Sequence, residues 1–419
     1  MNSLEPNKID IKEILKHNIV VIIFLILTLI GVSLSGLPPY FMVSELVSRI
    51  SRNSFLVLSL IIPILAGVGL NFGIVVGAMA GQTALIMITY WGIDGFPGIL
   101  TSVLIATPIA IFLGWLTAKL FNKTKGQEMI AGLIVSFFAT GIYQFIFLFV
   151  VGGAIKLYDT PMLKPDGIGL RNTISMGSKY GEGIKYGLDY LYRINLWYLL
   201  GAAAFLVMAW RIFKAVRRKQ RLNPLRIIPY AALLILCIVI HVTPSMRLMA
   251  NIKAPVVTWL IIAALCFFTV LIKKTKLGQD FKAVGQSQHI SAVAGIHVDK
   301  TRTIAVIIST VLASWGQIIF LQNVGTMNTY GSHMQVGMFA VAAILIGGAS
   351  VSEAKISHAI VGTILFHSVF IVSPTAGKAL FGDAQIGEFF RAFVVYGVIG
   401  VSLGLHAWKL ATKKIKKAD

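Results

Sequence analysis

Apolar residues gather in twelve runs nearly free of charge: Ile19 to Leu37, Phe55 to Leu70, Gly73 to Gly92, Gly98 to Lys119, Met129 to Val151, Leu196 to Trp210, Ile227 to Val242, Val256 to Ile272, Thr303 to Leu321, Val336 to Ser350, Ser357 to Ser373 and Phe389 to Trp408. A helix needs roughly 17–25 apolar residues to cross the hydrocarbon core of a bilayer. The pattern therefore predicts an all-α, polytopic integral membrane protein with about 10–12 transmembrane helices, the shortest runs being re-entrant or broken. Polar residues fall between the runs, and divide the chain into an N-terminal segment 1–18, a single membrane domain 19–408 and a basic tail 409–419. Three polar stretches interrupt the membrane domain: an insertion at 152–195, a basic loop at 211–226 and a longer loop at 273–302.

Composition agrees with that reading, since 57% of the residues are hydrophobic and 13% charged, against about 25% charged in a soluble domain. The charge that remains has a direction. Most of the 37 basic residues fall where the N-terminus, every second connection and the C-terminus fall, as the positive-inside rule requires of cytoplasmic segments. Lys8, Lys12 and Lys16 precede the first span, Lys119, Lys123 and Lys125 follow the fourth, and Arg211, Lys214, Arg217, Arg218, Lys219, Arg221 and Arg226 follow the sixth. Arg49 and Arg52 are the pair that does not fit. The expected topology places both termini in the cytoplasm. The net charge of +21 reads as topology, with attraction to anionic lipid secondary and no role for nucleic acid. The first run lacks a small-x-small cleavage site and is kept as a span.

One run carries an unusual spacing. GVGLNFGIVVGAMAGQTALI places Gly69, Gly73, Gly77 and Gly81 four residues apart. Each glycine costs a helix about 0.5–1 kcal/mol relative to alanine. Within lipid, where helices gain nothing from apolar burial against one another, small residues at this spacing let backbones approach closely. The four glycines are expected to form a groove for close helix packing.

Chemistry is sparse. No acidic residue sits clearly inside a span: Glu5, Asp10, Glu13 and Asp419 are terminal, Asp159, Asp166, Glu182 and Asp189 lie in the insertion, and the others, Glu128 and Glu388 among them, fall in connections or at span edges. This weighs against an ion-coupled carrier. No metal spacing of histidine or cysteine, no H-E-x-x-H and no G-x-S-x-G occurs, which disfavours a membrane enzyme, and Cys237 and Cys266 read as small apolar residues. The absence of G-x-x-x-x-G-K-[ST] denies the chain a P-loop of its own.

The loop from Lys273 to Arg302 has basic ends and an apolar middle. Ser287 to Ala294 reads as a short helix with a serine or glutamine start and Gly295 as its stop, with Ile290, Ala292, Val293, Ala294 and Ile296 as a patch suited to a partner's groove. A solvated loop is the plainer alternative.

These stretches resemble the permease subunits of ATP-binding-cassette importers of the ribose, nucleoside and branched-chain amino-acid class. That family has a cytoplasmic loop matched here by Ala283-Val284-Gly285, Ala292, Gly295-Ile296 and Val298, with Ser287 and Ile290 standing where asparagine and alanine are usual. Gly69-Leu70-Asn71-Phe72-Gly73 is similar to its Gly-Leu-Asn-Ile-Gly signature, Gly347-Gly348-Ala349-Ser350 to its Gly-Gly-x-Ser turn, and KGQEMIAGLIVSFFATGIYQFI to a further region of the sugar and nucleoside branch. The resemblance implies a permease that binds no cofactor itself. It pairs with a second permease, same or different, with cytoplasmic ATPase subunits that hold ATP and magnesium, and with an external substrate-binding protein. The coupling residues would be Gly285, Ser287, Ile290, Ala292, Val293, Gly295 and Ile296; the pathway and its packing would involve Gly69, Asn71, Gly73, Gly77, Gly81, Gln82, Gly347 and Gly348. A simple sugar or nucleoside is the expected solute, with an ion-coupled secondary transporter of small polar solutes as the alternative. The insertion is either a landing site for the binding protein or a decoration.

Overall fold

Each apolar run folds as a helix, since in a solvent without water only a ladder closed within the segment satisfies every backbone N–H and C=O. The computed structural model describes residues 18–158, 160–177, 183–217, 224 and 227–418. Lys8, Lys12, Lys16, Glu5, Asp10, Glu13, Asp159, Glu182, Arg218, Lys219, Arg221, Arg226 and Asp419 lie outside the described residues. In chain order the helices are α1 (Ile19–Ser35), α2 (Pro39–Ser59), the short α3 (Ile61–Leu65), α4 (Ile74–Trp91), α5 (Gly95–Lys123), α6 (Glu128–Phe145), α7 (Leu196–Arg217), α8 (Ile228–Val242) and the short α9 (Arg247–Ala250). There follow α10 (Val256–Lys274), α11 (Lys276–Gln286), α12 (Gln288–Val293), α13 (Val298–Val324), α14 (Ser332–Ile346), α15 (Ile356–Phe381) and α16 (Ala384–Ala418). Among the described residues, nine helices are long and apolar enough to cross a membrane, or ten if Ile228–Val242 and Pro244–Ala250, bent by 94°, form one broken span. The helices Ile19–Ser35 and Ser332–Ile346 are shorter.

Several boundaries differ from the apolar pattern. The second span starts at Pro39 rather than Phe55. Its first half carries Glu45, Arg49, Arg52 and Asn53, which hide it from a hydropathy reading but find partners within the fold. Arg49 Nε lies 2.9 Å from Glu45 Oε1 and Arg52 Nη2 3.7 Å from the same oxygen. Arg52 also stands 5.9 Å from the centroid of Phe320, and Asn53 Nδ2 donates to the Arg49 carbonyl at 2.8 Å. The two arginines that break the topology rule are thus held inside the protein. Helix α7 runs on to Arg217, into the basic loop, and α16 continues to Ala418, so the tail is helical rather than a separate segment. The loop 273–302 holds α11 as well as the expected short helix.

The middle of the bundle is built on α4 and α13. Both are buried along most of their length; α5 packs against both, α2 against α13 and α14 against α4. Helices α7 and α8 form a peripheral pair whose inner residues, Leu196, Trp197, Cys237 and Ile240, join Val47 of α2 and Ile252 in a small second core. Trp197 Nε1 donates to the Met249 carbonyl at 2.6 Å. The outward faces, with Phe205, Leu206, Ile235 and Ile238 among them, are exposed apolar surface suited to lipid.

Two short antiparallel pairs stand at the end of the bundle where the insertion lies: β1 (Thr173–Ser175) with β4 (Thr326–Asn328), and β2 (Arg193–Asn195) with β3 (Lys253–Pro255). We call this the insertion end and the opposite one, which carries α11 and α12, the basic end. The insertion is therefore stitched into the bundle. Met176 N donates to the Gly325 carbonyl at 3.1 Å and Thr329 N to the Asn172 carbonyl at 2.8 Å. Tyr186, in the left-handed region at φ 56, is held there by its N–H on the Gln322 carbonyl at 2.8 Å and by stacking on Tyr190 at 4.5 Å.

The approach of α4 to α13 sets a test. A Cβ at Gly77 would run into the Thr310 carbonyl oxygen, whereas one at Gly141 of α6 would meet nothing within 4 Å. Gly77→Leu should overpack the core at a cost of at least about 1–3 kcal/mol and remove the monodisperse species from size-exclusion chromatography in detergent. Gly141→Leu, facing outward, should elute unchanged.

Candidate functional site

The four glycines of the opening motif do not lie in one row, because α4 begins only at Ile74. Gly77 and Gly81 face the carbonyl oxygens of Thr310 and Ser314 on α13, one turn apart on both helices. Gly73 precedes the helix, where a Cβ would stand 2.9 Å from both Asn71 Oδ1 and Thr117 Cγ2. Gly69 takes φ +78 in the turn between α3 and α4, a conformation that favours glycine, beside Val351. Asn71 is buried and donates from Nδ2 to Ser309 Oγ of α13 at 3.3 Å. Gly347 repeats the close approach elsewhere: its Cβ would meet the His358 carbonyl on α15, as that of Gly362 would meet the Ala343 carbonyl on α14. Gly348 lies in the turn after α14, against Val21 of α1.

Gln82 is fully buried on α4 and joins the two ends of a polar chain. Its Nε2 donates to the carbonyls of Asn328 (3.1 Å) and Thr329 (2.8 Å), and its Oε1 lies 3.3 Å from His333 Nδ1. The other ring nitrogen of His333 is 3.4 Å from Thr140 Oγ1 on α6. Tyr330 completes the cluster by donating to the Leu170 carbonyl of the insertion at 2.5 Å. Burial pushes its phenol above the ordinary tyrosine value, so it remains a donor. This cluster closes the insertion end of a half-open cavity.

That cavity, about 540 Å³, lies between α4, α6, α14, α15 and α16. Its size falls within the range of about 300–1,000 Å³ usual for small-molecule sites. Its walls are aromatic at Phe72, Phe137, Phe339, Phe370 and Tyr396, and polar at Ser136, Thr140, Gln335, Glu388 and Arg391. Ser136 Oγ donates to the Phe72 carbonyl at 2.8 Å, tying α6 to the start of α4. Arg391 forms an ion pair with Glu388 and stands 4.5 Å from the centroid of Phe370. The wall thus combines flat apolar faces with one net-neutral charged pair. Neither Asn71 nor Gln82 lines it; Glu388 and Arg391, which the apolar pattern put at a span edge or passed over, do. Their i, i+3 spacing at the start of an otherwise apolar run was the available signal.

At the basic end, Thr275 caps α11 by accepting from Gly278 N at 3.2 Å, and Ser287 caps α12 by accepting from Ile290 N at 3.3 Å. Gly295 at φ +82 ends the turn that follows. Gly285 of α11 lies against the Leu65 carbonyl and Gly67, anchoring the pair of short helices below the break between α3 and α4. Ser291 points inward, while Ile290 (69%) and Val293 (79%) are exposed; Ala292 and Ala294 are exposed beside them, and Ile296 is half-buried. An ion pair that the sequence does not announce lies just above. Arg302, 1% exposed on α13, meets Glu128 at the start of α6.

A family model described as "Branched-chain amino acid transport system / permease component" matches residues 42–399. The chain is similar to the autoinducer 2 import system permease protein LsrC of Klebsiella pneumoniae, 34% identical over 93 residues that make up 22% of this chain and 26% of that one. It is similar to the L-arabinose transport system permease protein AraH of Escherichia coli, 28% identical over 120 residues, 27% of this chain and 35% of that one. A third relative is the nucleoside ABC transporter permease protein NupB of Lactococcus lactis, 30% identical over 92 residues, 21% of this chain and 25% of that one. The matches thus span only a quarter to about a third of these relatives. No solved structure matches the chain.

Gln82→Leu should leave the Thr329 carbonyl buried without its donor, at about 1–3 kcal/mol. The thermal midpoint in detergent should fall, and the segment from Gly325 to Gly331 should become the first site of limited proteolysis.

Proposed function

The chain belongs to the family of branched-chain amino acid transport system permease components, and on that premise we propose that it is the membrane-spanning subunit of an ATP-driven importer. The cavity between α6, α14, α15 and α16 is its solute path, and α12 is the element that docks on the motor. The observation that carries this reading is the exposure of Ile290 and Val293 on a capped helix beyond the ends of the spans. Apolar side chains held out by a stable turn, away from lipid, favour a protein groove. The chain contains no G-x-x-x-x-G-K-[ST], so ATP and magnesium belong to cytoplasmic ATPase subunits.

The partners follow from the same reading: two ATPase subunits under α12, a second permease completing the path, and a substrate-binding protein on the insertion. In this reading the basic end faces the cytoplasm of a bacterial inner membrane, with both termini on that side; the distribution of lysine and arginine supports the orientation. Closure of the ATPases displaces α12, and the helices relay the motion so that the path opens alternately to the two sides.

The relatives are named for autoinducer 2, L-arabinose and nucleosides. A sugar or nucleoside offers a flat ring face and several hydroxyls. Phe370 and Tyr396 suit the ring, and the Glu388–Arg391 pair accepts from and donates to hydroxyls without favouring either sign of charge. A simple sugar or nucleoside is therefore the proposed solute. Family membership leaves the ion-coupled alternative without support.

Val293→Asp and Ile290→Asp place a carboxylate where the docked surface is dry, at a cost of several kcal/mol. Association with an ABC ATPase encoded beside the gene should weaken at least about a hundredfold, measured by co-purification and by titration in nanodiscs. Elution of the chain alone should not change. Retained association in both variants would refute docking through α12.

A further inference from the structure

Arg302 is an expensive residue to bury. It lies on the first turns of α13 with 1% of its surface exposed, and a guanidinium so placed is tolerated only with partners that satisfy it. It has two, on two different elements, while its Nε–H has none. One is the carboxylate of Glu128, the first residue of α6, whose second oxygen accepts from Gly126 N at 3.0 Å. The other is Gln288 Oε1, the first residue of α12, at 3.3 Å from Arg302 Nη1. The surroundings are stitched in the same sense. Asn122 Nδ2, at the end of α5, donates to the Asp299 carbonyl and to Thr303 Oγ1, both at 3.0 Å, and Lys125 lies 2.6 Å from Asp299.

Helix α6 connects this point to the cavity. Leu133, Ser136, Phe137 and Thr140 line the cavity and recur at helical spacing on one face. No proline interrupts the helix between Glu128 and Thr140, so at about 1.5 Å per residue it is an unbroken rod of about 18 Å. We propose that Arg302 is the positioning residue that couples α12 to the cavity: a displacement of α12 pulls on Gln288, passes through Arg302 to Glu128, and tilts α6 so that Ser136, Phe137 and Thr140 move. This rests on the importer reading, and adds to it the particular side chains that carry the motion.

A hydrogen-bonded arginine suits the task better than apolar contact. Its fork holds two partners in fixed directions, so the three elements move together rather than slide. Gln288 is half-buried and contributes little to the core, which allows one limb of the joint to be cut without disturbing the other.

The test uses the full chain, with Cys237 and Cys266 replaced by serine, assembled in nanodiscs with its ATPase. Phe137→Cys, a cavity position 61% exposed, carries an environment-sensitive fluorophore, and the response to a non-hydrolysable ATP analogue is read alongside ATPase binding and hydrolysis. Gln288→Leu should leave binding and hydrolysis within about twofold and cut the Phe137 response at least about fivefold. Arg302→Met combined with Glu128→Leu, which replaces the buried pair by apolar groups of similar size, should fold and bind the ATPase yet give no response, whereas a merely structural pair would be rescued by it. Gln288→Glu, which keeps an acceptor for Arg302, should retain the response. An undiminished Phe137 response in both Gln288→Leu and the double variant overturns the proposal alone. Absence of ATPase binding by the unsubstituted assembly overturns the importer reading, and this proposal with it.

Discussion

A backbone carbonyl facing a glycine sets the distance between the central helices. Thr310 and Ser314 present their oxygens to Gly77 and Gly81, one turn apart, where any Cβ would collide. The same device recurs between α14 and α15, through Gly347 against His358 and Gly362 against Ala343, and between α15 and α16, where Gly387 meets the Ser373 carbonyl. In water each of these glycines would be a net loss of about 0.5–1 kcal/mol. In lipid, where apolar side chains are equally content against the hydrocarbon, contact between backbones is the gain that remains. Everything that shapes the cavity hangs from these approaches. Ser136 ties α6 to the Phe72 carbonyl just ahead of α4, and Gln82 ties α4 to the Asn328 and Thr329 carbonyls ahead of α14.

With the middle packed this closely, the buried charges among the described residues sit at the two ends. At the basic end Glu128 meets Arg302. At the insertion end Asp189, 1% exposed, accepts from Thr258 Oγ1 and from Asn323 Nδ2, each at 2.5 Å, while Asn323 Oδ1 lies 3.1 Å from Ser48 Oγ and 3.4 Å from Arg52. A carboxylate taken from water needs several donors in the water's place. Here those donors come from α10 and α13, and through Asn323 from α2, so Asp189 fastens the insertion to three spans at once. That placement explains why residues that read as a turn-rich loop pair with β3 and β4 and seal the bundle.

Long apolar runs were the most legible part of the sequence, because their periodicity need not be resolved when the whole perimeter is apolar. The glycine spacing announced close packing, and Ser287 with Gly295 announced the short helix between them. What the pattern concealed follows one rule: polar residues satisfied by the fold look like surface. Glu45, Arg49 and Arg52 hid the first half of α2, and Thr275 with a polar sequence hid α11. Asn71 and Gln82, polar in an apolar run, suggested pathway groups; Gln82 donates to two backbone carbonyls, while Asn71 donates to Ser309 and keeps a buried Oδ1 without a partner. The charged groups that do face the cavity, Glu388 and Arg391, are two residues at the start of an apolar run and left only a brief dip in hydropathy.

The same apolar side chains mean different things at different heights along the bundle. Phe205, Leu206 and Ile238 are as exposed as Ile290, and within the spans lipid covers them at no cost. Ile290 and Val293 lie beyond that region. Lys273 and Lys274 close α10 before the loop begins, and Asp299 and Lys300 open α13 after it, so charged residues bracket α12 on both sides. An apolar pair held outside the charged boundary, on a helix fixed by Ser287 at one end and Gly295 at the other, has neither core nor hydrocarbon to satisfy it. Its rigidity removes the ordering cost that a flexible loop would meet on binding. The arrangement is therefore that of a preformed plug. A groove in a protein partner, as proposed above, is an environment in which its exposure becomes favourable.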